Sequence, residues 1–134
     1  MLFRIVITLL CGVGLYASLF MLAKSRRAER GELRGPSVVT SPRARLFGVP
    51  NAAIGAVYYP AVAFAVWWVE GPIAIVVLLA AVAFAAATSL VLAYSLLFIT
   101  RRACPYCWTS HAVNWLLLLL CGWKFLPNLL SRGP

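Results

Sequence analysis

The chain has 134 residues, of which 63% are hydrophobic and 11% charged, and its mean hydropathy is +0.93. A soluble domain is nearer half apolar and a quarter charged, so a water-soluble globule is excluded, as is a disordered chain; four scattered cysteines also exclude a disulfide-stapled secreted module. The length allows a single domain, 1–134. A net charge of +9 in such a chain belongs beside membrane spans, and no nucleic-acid partner is expected.

Four uncharged stretches run over 5–23, 52–69, 71–100 and 103–123. A helix needs about 20 apolar residues to cross the hydrocarbon core. The expectation is therefore an all-α polytopic membrane protein, a bundle of four transmembrane helices at about 3–23, 51–69, 72–100 and 104–124. The first stretch, following Arg4, has the look of a signal peptide. No small-residue cleavage site follows it, and Lys24-Ser25-Arg26-Arg27 reads as a span terminus. The basic segment 24–50 separates the first two spans. It carries Lys24, Arg26, Arg27, Arg30, Arg34, Arg43 and Arg45, and its apolar Val38, Val39, Leu46 and Phe47 suggest that its second half folds back on the membrane surface. Glu70-Gly71-Pro72 predicts a tight turn between the second and third spans. The third stretch is too long to stand upright, so it tilts or protrudes. Arg101 and Arg102 divide it from the fourth.

Chemistry is concentrated at the start of the fourth span. Cys104-Pro105-Tyr106-Cys107 places two thiols three residues apart at a helix start, where unpaired N–H groups and the macrodipole favour a thiolate. This points to a redox dithiol. Two structural cysteines or half of a zinc site are the alternatives, but zinc wants four ligands and only His111 is within easy reach, so no metal is expected. His111 and Asn114 follow Cys107 by four and seven residues and share its helix face. His111 is suited to steadying a thiolate or donating to a carbonyl oxygen; Asn114 is equally suited to bonding between helices. Asn51 opens the second span either as a helix cap or as a ligand contact. Tyr58, Tyr59, Trp67 and Trp68 are read mostly as interface anchors. Cys11 and Cys121 are read as small buried hydrophobes, since Cys121 lies about 21 Å along the helix from Cys107.

Two stretches taken together resemble the vitamin K epoxide reductase family. Ser41-Pro42-Arg43-Ala44-Arg45-Leu46-Phe47-Gly48-Val49-Pro50-Asn51-Ala52-Ala53-Ile54-Gly55 is similar to that family's loop-to-second-helix motif, and Cys104-Pro105-Tyr106-Cys107 with Asn114 is similar to its fourth-helix signature. The resemblance implies a four-helix bundle around a quinone (ubiquinone or menaquinone) that takes electrons from the CxxC. It implies that Cys107 faces the quinone and Cys104 exchanges with a loop cysteine pair. Asn51 matches the asparagine that bonds a quinone oxygen, and His111 stands where the family has a tyrosine. A thioredoxin-fold partner is implied too, with disulfide formation in exported proteins as the outcome. One departure from the family is serious. It has no cysteine between Cys11 and Cys104, and Gly35-Pro36-Ser37 occupies the place of a shuttle thiol.

Two functions follow. One is a quinone-dependent thiol oxidoreductase of the cell (inner) membrane; the other is a non-catalytic subunit of the same fold in a larger membrane complex. A channel or transporter has little support, because the spans carry no charged residue. Nine of the twelve Lys and Arg flank the loop side, which by the positive-inside rule belongs in the cytoplasm. The family resemblance places that side, with the CxxC, outside the cytoplasm; that orientation is the expectation, and an inverted one is its rival.

Overall fold

The computed structural model describes residues 1–31, 45–46, 49–101 and 105–131. Cys104, Arg102 and most of the basic loop, including its expected fold-back on the membrane, lie outside the described residues. Among the described residues the chain forms four long helices: α1 (Leu2–Glu29), α2 (Asn51–Trp68), α3 (Gly71–Ser95) and α4 (Pro105–Ser131). A π-helical turn, Leu96–Thr100, extends α3. Just before α2 a two-residue ladder pairs β1 (Arg45–Leu46) with β2 (Val49–Pro50), antiparallel.

Three helices, α1, α3 with its extension, and α4, are long and apolar enough to cross a membrane. The all-α, multi-pass membrane architecture expected from composition is therefore present. α2 is shorter, at 18 residues, or about 27 Å at 1.5 Å per residue. Its apolar run is diluted by Asn51, two tyrosines and two tryptophans.

Two helices run past their apolar stretches. α1 continues through Lys24-Ser25-Arg26-Arg27 to Glu29, because Lys, Arg, Ala and Glu are good helix formers and Arg26 and Arg27 complement the negative helix end. It stops where Gly31 takes a φ of +72°. α4 likewise continues beyond 124 to Ser131. The expected tight turn is present: α2 ends at Trp68, Gly71 adopts φ +82° and Pro72 sits in the first turn of α3. The π turn ends on Arg101 in the left-handed region (φ 52°), whose N–H bonds the Leu96 carbonyl at 2.9 Å.

α1 packs on α2 and on α4, and α3 packs on α4; α2 and α3, though consecutive, share almost no interface. Contacts at both ends define the directions. Phe3 meets Phe125 edge-on at 5.6 Å, and Phe20 stacks on Tyr106 at 3.9 Å, so α1 and α4 are antiparallel. Trp67 donates to the Thr8 hydroxyl at 3.0 Å under the Arg4 guanidinium, tying the end of α2 to the start of α1. The apolar core, built on Ile7, Cys11, Val62, Val66, Val82 and Leu117, fills the half of the bundle nearer the chain termini. Cys11 and Cys121 are free and buried within it. The other half is hollow.

Candidate functional site

Small residues make the hollow half possible by letting helices approach closely. Gly55 of α2 faces Ser18 of α1, and Gly14 of α1 faces the ring of Tyr59. Above these contacts lies a cavity of about 340 Å³, at the low end of the 300–1,000 Å³ common for small-molecule sites. All four helices line it. α1 contributes Ser18, Met21 and Ser25; α2 contributes Asn51, Tyr58 and Tyr59; α3 contributes Phe84, Ser89 and Ser95; α4 contributes Cys107, Ser110, His111 and Asn114.

Three of the four residues singled out from the sequence, Asn51, Cys107 and His111, thus meet at one cavity; the fourth, Cys104, is outside the described residues. Cys107 is disulfide-bonded and packs against the small cluster of Met21 and Leu96, as do Ala52 and Trp108. Tyr106, between the two cysteines in sequence, stacks on Phe20 and holds the motif against α1. His111 is buried between Trp108 and Trp115, with ring centroids 6.1 and 6.2 Å away. Asn51 is the first residue of α2, and the cap position itself belongs to Pro50.

The tyrosines correct the sequence reading. Tyr59 is no interface anchor: it is 2% exposed, and its hydroxyl donates to the Asn114 Oδ1 at 3.0 Å and lies 3.3 Å from the Ser110 carbonyl. Asn114 in turn donates from Nδ2 to the Ser89 Oγ at 2.6 Å. Asn114 thereby joins α2, α3 and α4, the helix-bridging role allowed for it. Tyr58 packs edge-on against Tyr59 at 5.1 Å, inside the bundle. Trp67 and Trp68 do stand at the surface. The sequence did contain the signal for the missed residues. Tyr58 and Tyr59 follow Asn51 by seven and eight residues and so share its face, and Ser89 and Ser95 are polar interruptions in an apolar span.

Buried polar groups are normally hydrogen-bonded. Three here are not: the Tyr58 hydroxyl, Ser95 Oγ and His111 Nδ1 have no partner among the described residues, and all three belong to side chains that line the cavity. Such a set on three helices fits a ligand that is mostly apolar and carries hydrogen-bonding oxygens. A quinone has that chemistry, and the residues present suit it.

A bundle of apolar helices around a polar-edged cavity beside a disulfide defines the class as a multi-pass membrane protein. The family model of the vitamin K epoxide reductase family matches residues 5–121, and the chain belongs to that family. Membership points to a membrane redox role involving a quinone. No curated protein matches the chain.

Proposed function

We propose that the protein is a thiol–disulfide oxidoreductase, with all four helices crossing the cell membrane, that passes electrons from a thioredoxin-fold partner through Cys104 and Cys107 to a quinone. The observation that carries this reading is the gathering of three unpartnered buried polar groups around the cavity that Cys107 lines. In it, Asn51 and His111 each give a hydrogen bond to a quinone oxygen, the apolar side chains of α3 hold the ring, and the CxxC opens toward the extracytoplasmic side.

The chemistry balances within the dithiol. A partner thiolate attacks the Cys104 sulfur of the 104–107 disulfide, forming a mixed disulfide and releasing Cys107 as a thiolate. Cys107 lies in the first turn of α4, where unpaired N–H groups stabilise that charge. The second partner thiol then resolves the mixed disulfide, leaving the partner oxidised and both CxxC sulfurs reduced. Re-forming the 104–107 disulfide releases two electrons and two protons, which a quinone is able to accept. His111 is buried between Trp108 and Trp115, and Cys107 is half-buried against Met21 and Leu96, which limits the water that reaches the step.

One observation favours a second reading. The chain lacks cysteines between Cys11 and Cys104, so no internal thiol pair exists to shuttle electrons to Cys104; a non-catalytic subunit of a larger membrane complex would not need one. In the oxidoreductase reading the partner docks directly over the start of α4. The deciding experiment is purification in mild detergent, organic extraction and chromatography of the extract, with turnover of a reduced dithiol measured alongside. A quinone recovered near one per chain, and dithiol oxidation that depends on it, supports the oxidoreductase. Protein that extracts without quinone, fails to oxidise thiols and copurifies in a larger assembly supports the subunit.

A further inference from the structure

Resting on the quinone reading above, we infer that Ser89 of α3 is a hydrogen-bond donor to the bound quinone, and that Asn114 is the positioning residue that turns the serine hydroxyl toward it. The direction of the bonds carries the argument. A carbonyl oxygen only accepts, so the Tyr59 hydroxyl, 3.0 Å from the Asn114 Oδ1, must be the donor there. That leaves the amide Nδ2 facing Ser89, and it donates to Oγ at 2.6 Å. The serine oxygen is then an acceptor within the network, and its own proton is left over.

Nothing described takes that proton. Ser89 is 2% exposed, so bulk solvent beyond the cavity does not serve it, and it donates to no group among the described residues. Its neighbour Thr88 shows the usual alternative, giving its hydroxyl to the Phe84 carbonyl one turn back at 2.9 Å. Ser89 instead lines the cavity. It also stands at a depth different from the residues already assigned. Asn114 is three residues beyond His111, about 4.5 Å further along the helix, so Ser89 meets the cavity one turn deeper than His111. Two carbonyl oxygens on opposite sides of one ring call for donors at two depths. His111 and Asn51 supply the shallower one, and Ser89 supplies the deeper.

The test uses the full chain in lipid nanodiscs, titrated with decylubiquinone and, separately, a short-chain menaquinone. Binding is followed by quenching of Trp108 and Trp115, which flank His111, and the carbonyl stretch of the bound quinone by infrared difference spectroscopy. Ser89→Ala is expected to weaken binding about five-fold, the effect of one neutral hydrogen bond, and to raise the frequency of one carbonyl band. Ser89→Thr, which keeps the hydroxyl, is expected to restore both. Asn114→Ala should shift the same band, and adding Ser89→Ala to it should produce no further shift. If the amide stands the other way round, Ser89 donates to Asn114 and has no proton for the ligand. Ser89→Ala then lowers thermal stability while affinity and band position stay as in the wild type, and the inference is overturned. A wild type that binds neither quinone overturns the proposed function, and this inference with it.

Discussion

Gly14 of α1 lies flat against the ring of Tyr59 of α2: a methyl group built on the glycine would meet three ring carbons, the nearest at 2.5 Å. The ring has little freedom to retreat, because its hydroxyl is held by Asn114. A glycine in one helix therefore determines where the central hydrogen-bond network of the cavity stands.

Gly14→Ala is accordingly expected to destabilise the bundle by about 1–3 kcal/mol, the usual range for overpacking, and to weaken quinone binding through displacement of Tyr59. Thermal unfolding in detergent reads the first effect. Combining it with Tyr59→Leu, which removes the obstructing ring, should cost less than the two single variants added together. Simple additivity would show that the contact is slack.

Removing the polar contacts nearer the CxxC tests the ligand assignment. His111→Phe and Asn51→Ala are each expected to reduce quinone affinity several-fold, about 1 kcal/mol, with the unfolding temperature little changed. Equal affinity in both variants and the wild type would leave the two residues with structural roles alone.

The order of attack on the disulfide has its own signature. Cys107→Ser should accumulate a covalent complex with a thioredoxin-fold partner through Cys104, visible on non-reducing electrophoresis and lost on reduction. Cys104→Ser should accumulate none. Capture by the Cys104→Ser variant alone would reverse the assignment of the two cysteines.

Orientation is measurable on intact cells with a membrane-impermeant maleimide after mild reduction. Cys11 and Cys121 are 2% and 0% exposed, so labelling reports on the CxxC. Labelling of intact cells is expected. Protection until the membrane is opened would place the motif in the cytoplasm, as the excess of basic residues on the loop side would have it.

The spans were legible because hydropathy is a property of the residues themselves: the uncharged runs at 5–23, 71–100 and 103–123 became α1, α3 and α4. Their ends were less so, since Lys24 to Glu29 is too polar for lipid yet favourable for helix, and only the second preference decides where a helix stops. The convergence of Cys107, His111 and Asn114 on one face followed from helical spacing. Tyr58 and Tyr59 did not follow from residue type. An aromatic near a helix end and one in a bundle interior look alike until the opposing surface is known, and that surface is Gly14 on another helix. Asn51 was ambiguous for a related reason: whether it caps its helix or faces a cavity depends on a backbone position that Pro50 turned out to take.

The sparse contact between α2 and α3 has a bearing on how occupancy should be expressed. Ile54 and Phe84, one on each helix, both line the cavity and stand 41% and 68% exposed, so with all four helices crossing the membrane, as proposed, the hollow opens between them toward the lipid tails. A hydrophobic ligand arriving there is drawn from the bilayer, where it has already partitioned, and its buffer concentration is only an indirect measure of supply. The relevant variable is its mole fraction among the lipids. Half-saturation quoted per litre of solution will drift upward as more lipid or detergent is added at constant protein, whereas the same data plotted per lipid molecule will superimpose.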